Sequence, residues 1–238
     1  MLGDLKFASP EAELEARFIL LEQRVLQLVE QGKPAEALRL LDPPMADAKA
    51  ENTPLVWIMA LETRAQLKAG ETLIINGASG GVGLTALEIG KMMGATVIGL
   101  ASTEEKRALV AERGADHVFD VADPDLRDKV KALGGADVGY DVVGGDAFNT
   151  MLRCMKFEGR LLTVGFASGE IPQVPANLLL VKNISVVGVY WGSYARNNPS
   201  VLMKSLVQLT QWLKEGQFRP HVSAVYSLDE ATKGLEAL

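Results

Sequence analysis

Cysteine and histidine are nearly absent from this chain, which has one cysteine, Cys154, and two histidines among 238 residues. A single cysteine cannot form an internal disulfide, and it cannot supply the cysteine clusters that hold structural zinc. We therefore predict no metal site. We expect Cys154 to be a buried structural thiol at the end of a helix, because free cysteine packs as a small hydrophobic residue.

Long apolar runs are also missing. No apolar stretch reaches the ~18 residues that a membrane span requires. The opening MLGDLKFASPEAE lacks the basic and then apolar regions of a secretory signal. The net charge of −6 disfavours binding to nucleic-acid backbones. With 48% apolar and 23% charged residues, the composition predicts a soluble globular protein, and we expect a cytoplasmic location.

Residues 1–52 are predicted to form a helical hairpin and a linker. Ser9 and Pro10 are suited to begin a helix. Apolar residues then follow at alternating spacings of four and three over residues 14–28, as in a short coiled-coil seam. Three interpretations of this seam remain open: packing on the rest of the chain, self-association, or a remnant of an unrelated module.

Residues 53–238 are predicted to form an α/β domain. After Gly70, apolar runs (TLIIN, ATVIGLA, DHVFD, DVGYDVV, GRLLTVGF and ISVVGVYW) alternate with helical patterns over residues 81–93, 103–113, 125–133 and 146–157. This alternation predicts a parallel sheet with helices on both faces. Six strands fit the doubly wound Rossmann order 3-2-1-4-5-6, in which ligands lie beyond the carboxyl ends of the strands.

A glycine-rich loop, GASGGVG, follows the first predicted strand and spans Gly77 to Gly83. It can be aligned as G-x-G-x-x-G with alanine in the first place, or as G-x-x-x-G-x-G. Either way, the glycines permit a tight turn and a close approach to a pyrophosphate, and the following helix N-terminus attracts the anion. The loop therefore predicts dinucleotide binding; the alternative is that the glycines serve only packing.

The end of the second predicted strand favours NADP over NAD. An NAD site commonly has an acid there for the ribose 2′-hydroxyl, but this strand ends at Ser102 without one, and Lys106 and Arg107 follow. A hydroxyl and two cations suit a 2′-phosphate. The alternative is that Ser102 and Glu105 form a capping box that opens an exposed helix.

Several longer stretches resemble the medium-chain dehydrogenase/reductase superfamily, in particular the quinone oxidoreductase-like group among its zinc-independent quinone oxidoreductases. They are GASGGVG, STEEKRALVAERGADHV, DVVGGDAF, the segment 159–194 and the closing RPHVSAVYSLDEATKGLEAL. The resemblance extends over about residues 64–238. Short-chain reductases share the glycine loop, but no tyrosine of this chain has lysine four residues later, as their catalytic motif requires.

The resemblance implies hydride transfer from NADPH to a quinone or an activated alkene. It places the pyrophosphate on the glycine loop, the adenosine beside the end of the second strand, and the nicotinamide near the ends of the fifth and sixth strands. The implied cofactor-binding residues are Gly77, Ala78, Ser79, Gly80, Gly81, Val82, Ser102, Lys106, Val143, Gly165, Phe166, Ala167, Val189 and Trp191.

No catalytic residue is identified. We expect His117 to be structural and His221 to be a surface or packing residue. General acid–base catalysis would then come from Tyr190, from Tyr194, from water or from no group at all. The alternative for Tyr190 and Trp191 is that they are core aromatic residues of the last strand.

The resemblance also implies a GroES-like domain ahead of the nucleotide-binding domain, and residues 1–63 do not resemble one. The chain ends at LEAL, before the segment that usually returns to that domain. We therefore expect a cofactor domain joined to an unrelated hairpin, as a natural truncated fusion or an engineered chimera. Two functions remain open: an NADPH-dependent oxidoreductase, and a nucleotide-binding or structural domain without turnover.

The last predicted strand, residues 184–191, is expected at an edge of the sheet. It is apolar and free of charge and proline, the properties of an edge that pairs with another chain. The resemblance implies antiparallel pairing of this strand with its copy across a two-fold axis. We therefore predict a homodimer through residues 184–191, with the 14–28 seam as the alternative interface.

Overall fold

The structure of the protein is a computed structural model that describes residues 31, 65–222, 224–227, 230 and 232–233. The predicted hairpin and linker of residues 1–52, apart from Gln31, and the predicted boundary at residue 53 lie outside the described residues. None of the helices in the described part of the chain is long and apolar enough to cross a bilayer.

The described residues form one parallel six-stranded sheet in the order β3-β2-β1-β4-β5-β6, which confirms the predicted doubly wound topology. The strands are β1 (Thr72–Asn76), β2 (Thr96–Ala101), β3 (His117–Asp120), β4 (Ala136–Asp141), β5 (Met155–Thr163) and β6 (Ser185–Gly188). The helices are α1 (Gly81–Met92), α2 (Glu104–Glu112), α3 (Leu126–Ala132), α4 (Gly145–Cys154), α5 (Ala176–Lys182), α6 (Tyr194–Asn197) and α7 (Pro199–Lys214), with a 3-10 turn at Trp191–Ser193.

Two apolar cores lie on the two faces of the sheet. Alternate residues of a strand point to opposite faces, so Leu73 and Ile75 of β1 enter one core while Ile74 enters the other. The first core contains side chains of α1, α2 and α7, and the second contains side chains of α3, α4 and α5. The continuous apolar strands seen in the sequence are therefore explained by burial on both sides.

Arg160 of β5 fastens the chain segment that precedes β1. Its guanidinium makes two bonds to the Glu71 carboxylate, at 2.9 and 2.7 Å, and also donates to the carbonyl oxygens of Ala65 and Gln66. Both charged side chains are about four-fifths buried, with exposures of 21% and 18%. Because two parallel hydrogen bonds between a guanidinium and a carboxylate restrict orientation more than one bond does, they fix the position of this segment against β5.

The boundary between α4 and β5 differs from the prediction. The helix was expected over 146–157 and the strand over 159–166, but α4 ends at Cys154 and β5 begins at once with Met155. Met155 pairs with Ala136, and the register then shifts around Glu158, whose φ of 60° lies in the left-handed region. Pairing with β4 thus ends the helix earlier than its own periodicity indicates.

The last strand is shorter than predicted. β6 covers Ser185–Gly188, not 184–191, although Val189 still donates its N–H to the carbonyl oxygen of Thr163 at 2.9 Å. Because β5 ends at Thr163, the residues after Val189 have no neighbouring strand and turn into the 3-10 helix. Tyr190 and Trp191 are 74% and 41% exposed, so the interpretation of both as core aromatic residues is wrong.

Candidate functional site

A buried amide–carboxylate pair joins the carboxyl ends of β1 and β4. Asn76 and Asp141 pair in register, and the Asn76 Nδ2 donates to Asp141 Oδ1 at 2.8 Å. The same carboxylate accepts the N–H of Val143 at 3.1 Å and that of Gly144 at 3.1 and 3.2 Å. Burial raises the pKa of Asp141, and the hydrogen bonds from Val143, Asn76 and Gly144 offset only part of this rise. The pair fixes both loops where the chain leaves the sheet.

β1 and β4 are the neighbouring strands at which the strand order reverses. In doubly wound sheets, the loops at such a switch point diverge to opposite faces and leave a crevice where ligands bind. The loop after β1 enters α1, and the loop after β4 enters α4, which packs on the other face. The glycine loop therefore lies at the crevice that the topology creates.

The glycine loop is a tight turn pressed against its neighbours. Gly77 has φ +75°, a conformation that favours glycine. Gly80 donates its N–H to the Gly77 carbonyl oxygen at 3.1 Å, and Ala78 donates its N–H to the Leu100 carbonyl oxygen at 3.1 Å. A Cβ on Gly83 would lie 2.2 Å from the Gly77 oxygen, so α1 approaches the loop as closely as it does only because Gly83 has no side chain.

The N-terminus of α1 is open to an anion. Gly80 precedes the helix, no side chain caps it, and the first turn contains no acid. A Cβ on Gly80 would meet only the Gly77 oxygen, at an ordinary 3.6 Å, so the glycine here leaves surface free that the fold does not fill. Free N–H groups and the partial positive charge of a helix start attract phosphate.

The start of α2 differs from the alternative interpretation, a capping box of Ser102 and Glu105. Thr103, not Ser102, precedes α2 as the cap, and its hydroxyl accepts the Lys106 N–H at 3.2 Å. Among the described residues, the Ser102 hydroxyl and the Lys106 ammonium have no hydrogen-bond or ion-pair partner, and both side chains are exposed. Arg107, in contrast, is paired with Asp120.

The loops after β4 and β5 are tied together. The Val142 carbonyl oxygen accepts the Ala167 N–H at 3.0 Å, and the Val143 carbonyl oxygen accepts the N–H and hydroxyl of Ser168 at 3.0 and 2.7 Å. A Cβ on Gly77 would lie 2.9 Å from side-chain carbons of both valines. Three separate segments of the predicted site therefore come together at one edge of the sheet.

A cleft of about 740 Å³ lies beyond the carboxyl ends of β5 and β6. Of the predicted site residues, Phe166 and Val189 line it; Trp191 lies in the adjoining 3-10 turn and does not. Both candidate acids, Tyr190 and Tyr194, are among its walls. The described residues that line it are Thr163, Val164, Phe166, Gly188, Val189, Tyr190, Ser193, Tyr194, Asn197 and Asn198.

Sequence reasoning missed the Asn76–Asp141 pair and the polar wall of this cleft. The only signal for the pair was a polar residue closing each of two apolar strands, β1 and β4. Asn197 and Asn198 carried no signal, because they reach the cleft through the short helix α6 and the residue after it, beyond the 3-10 turn that replaces the expected end of the last strand.

The single cysteine and the two histidines lie outside the cleft and the glycine loop. Cys154 is buried at the end of α4, as predicted, and burial raises the pKa of its thiol to about 11. His117 is half-buried in β3, and His221 is exposed in contact with Arg113. Within the part of the chain that the structure describes, no group of three or more histidine, cysteine or acidic side chains could hold a metal ion.

Comparison with known proteins gives consistent matches to one group. The family model described as zinc-binding dehydrogenase matches residues 81–208. Quinone oxidoreductase-like protein 2 homolog of Nematostella vectensis is 40% identical over 185 residues, which cover 76% of this chain and 50% of that protein. Quinone oxidoreductase-like protein 2 of Mus musculus is 40% identical over 177 residues, covering 73% and 51% of the two chains.

Among solved structures, the quinone oxidoreductase of Thermus thermophilus, determined also as its complex with NADPH, is similar with a TM-score of 0.69 and 28% identity. The match covers 79% of this chain and 60% of that one. This chain spans about half the length of the curated relatives it matches.

Proposed function

Because the chain belongs to the zinc-binding dehydrogenase family, within the quinone oxidoreductase-like group of the medium-chain dehydrogenases/reductases, we propose that it binds NADPH along the carboxyl edge of its sheet. The observation that carries this proposal is the uncapped N-terminus of α1, which follows a glycine turn at the switch point between β1 and β4. The relatives' complexes with NADPH support the choice of dinucleotide.

The residues present fit an NADP dinucleotide. The pyrophosphate would lie on the loop Gly77–Val82, against the first N–H groups of α1. The hydroxyl of Ser102 and the ammonium of Lys106, which have no partner among the residues that the structure describes, would hold a 2′-phosphate, with Val143 beside the adenosine. The nicotinamide would lie near the cleft, where the proposed neighbours are Gly165, Phe166, Ala167, Val189 and Trp191.

The proposed reaction is hydride transfer, and the residues at this edge of the sheet would orient the two reactants. A bound NADPH supplies a hydride, and the substrate that we propose is a quinone or an activated alkene. The chain orients both partners: Phe166 and Val189 provide an apolar wall, and the hydroxyls of Tyr190 and Tyr194 are donors for a developing oxyanion. The described residues that line the cleft are all uncharged, which favours a neutral carbonyl compound over a carboxylate.

The second candidate function is a domain that binds the dinucleotide without turning it over. Absorbance of NADPH in the presence of 1,4-benzoquinone, measured beside a fluorescence titration of NADPH, separates the two. Binding with oxidation supports the oxidoreductase, and binding without oxidation supports the second candidate. If NADPH does not bind, both are wrong.

Gly81→Val tests the placement of the pyrophosphate. Gly81 opens α1 and is exposed, so valine should leave the far-ultraviolet circular dichroism unchanged while its branched side chain obstructs a phosphate. We expect loss of measurable NADPH and NADH binding. Lys91→Ala, at the other end of the same helix, is the control and should bind both as the parent does. Unchanged affinity in Gly81→Val would mean that the loop is only a packing turn.

The assembly is also part of the proposal: a homodimer in which β6 pairs with its copy, in a cytoplasmic protein. Its support is that β6 is an edge of the sheet and that Val186 and Val187 on it are only half-buried.

A further inference from the structure

The Asn76–Asp141 pair lies at the floor of the crevice between the glycine loop and the loop after β4. It is the last register pair of β1 and β4, and the two loops diverge beyond it. Both residues are buried. Packing between the strands does not require such a pair, because apolar side chains of similar size could join the strand ends without burying a charge. We therefore examined what the pair holds in place on each side.

On one side, the pair is continuous with the end of β2. Gly77 follows Asn76 directly and turns the chain with φ +75°. Ala78 then donates its N–H to the Leu100 carbonyl oxygen at 3.1 Å, and Leu100 is itself the register partner of Asn76. The position of Asn76 therefore fixes the loop proposed for the pyrophosphate and its distance from Ser102, in the proposed adenosine half.

On the other side, Asp141 organises the loops that lead to the cleft. Its carboxylate accepts the N–H of Val143 at 3.1 Å and that of Gly144 at 3.1 and 3.2 Å. Its carbonyl oxygen accepts the Val164 N–H at 2.9 Å. The Val143 carbonyl oxygen in turn accepts the N–H and hydroxyl of Ser168 at 3.0 and 2.7 Å. One residue thus holds both the loop after β4 and the loop after β5.

We propose that Asp141 is a positioning residue that, through its bond to Asn76, aligns the adenosine and nicotinamide halves of the NADP(H) site. This role rests on the dinucleotide site proposed above and deepens it, because it assigns the alignment of the two halves to one buried bond. Asp141 has no exposed surface with which to touch a cofactor.

The physical reason is that the two halves of one ligand assist each other only when their sites are correctly spaced. Once the first half is bound, the second binds as an intramolecular event, and this gain is lost when the geometry does not match. The pair should therefore add affinity for the whole dinucleotide and little affinity for either half alone.

Isothermal titration calorimetry with NADPH, NADH and 2′,5′-ADP, the adenosine half of NADP, tests the proposal at pH 7. In Asp141→Asn, an amide nitrogen takes the place of the carboxylate oxygen beside the Gly144 N–H, so the loop must move although the side chain keeps its shape. NADPH and NADH should weaken by the same factor, about 10-fold, and 2′,5′-ADP by less than about 2-fold. Asn76→Ala removes only the bond between the strand ends and should weaken the two dinucleotides several-fold, so it tests the proposal even if Asp141→Asn does not fold.

Asp137→Asn is the matched control. Asp137 also lies on β4 and also bonds β1, by accepting the Thr72 N–H at 2.8 Å, but it does so at the amino edge of the sheet. The variant makes the same chemical change in the same pair of strands, at the edge opposite the proposed site. It should change none of the three dissociation constants.

Equal weakening of NADPH and 2′,5′-ADP in Asp141→Asn or Asn76→Ala, or parent-like binding of all three ligands, would mean that the pair only holds the fold. A loss in Asp137→Asn as large as that in Asp141→Asn would mean the same. A parent protein that binds NADPH no more tightly than 2′,5′-ADP overturns this inference and leaves the nucleotide site intact. A parent that binds none of the three overturns the proposed function, and this inference with it.

Discussion

Replacement of Asp141 by alanine should be among the most damaging single changes in the sheet. The carboxylate is buried and accepts four hydrogen bonds from three donor groups: the Asn76 amide and the N–H groups of Val143 and Gly144. Alanine would leave all three donors without this acceptor, at Asn76 and Gly144, which are buried, and at Val143, which is half-buried. The three donors belong to the strand ends and loop that shape the switch point.

The magnitude follows from the donors left unpaired. A buried polar group without a partner costs about 1–3 kcal/mol, so three of them cost about 3–9 kcal/mol. Burial of the carboxylate is itself unfavourable, as the raised pKa of Asp141 indicates, and the alanine variant no longer has this cost. We therefore expect the net loss of unfolding free energy to lie near the low end of that range, at about 3–4 kcal/mol. Against a typical total of about 5–15 kcal/mol, such a loss would leave the domain marginal.

Urea unfolding at pH 7, followed by circular dichroism, measures this loss, provided that the slope with urea is the same in parent and variant. Asn76→Ala is the matched control because it removes only one of the four bonds, and we expect it to cost about 1–3 kcal/mol. If Asp141→Ala costs less than Asn76→Ala, or less than about 1 kcal/mol, the carboxylate is not the centre of this network and the reasoning is wrong.

Three further predictions concern other parts of the molecule. Lys106→Ala should weaken NADPH by about 1–3 kcal/mol and leave NADH unchanged in a fluorescence titration; an equal loss for both cofactors would remove Lys106 from the 2′-phosphate site. Burial alone would raise the pKa of Glu71, but its bonds with Arg160 and the Lys68 N–H lower it. The stabilisation lost in Glu71→Gln should therefore be present above about pH 4.5 and disappear as the pH falls through the lowered value, and a pH-independent difference in urea midpoints would contradict this. Val187→Lys should convert a sedimenting dimer to monomer or insoluble protein, whereas a dimer lost only in Leu21→Lys would move the interface to the 14–28 seam.

The sheet could be predicted from the sequence because its signals are local and repeated. Runs such as TLIIN are apolar at every position but the ends, and the strand is buried on both faces. Strand–helix alternation then restricts the connections to a few topologies. The glycine loop could be located for the same reason, since a turn, an anion-binding helix start and a close strand contact fall within one short stretch, Gly77 to Gly83.

The pairings across the sheet could not be predicted in this way. Asn76 and Asp141 are 65 residues apart. The neighbouring sequence does not distinguish an acid that accepts a hydrogen bond from a buried amide from an acid that faces solvent. The sequence grouped Arg107 with Lys106 as two cations suited to a phosphate, but Arg107 has a partner 13 residues away and Lys106 has none among the described residues. Such partners are decided by strand register, which fixes which side chains meet only after the whole sheet is formed.

The glycines of the motif look equivalent in the sequence, but the structure gives different reasons for each of them. Gly77 is required by its left-handed backbone, and Gly83 is required because a Cβ there would lie 2.2 Å from the Gly77 oxygen. Gly80 is required by neither: its Cβ would make an ordinary contact at 3.6 Å, and its surface is exposed. Two glycines of the motif are thus explained by the fold alone, and a third is not. Because an unfilled surface at an uncapped helix start is unnecessary for folding, the anion that it fits is the simplest physical reason for it.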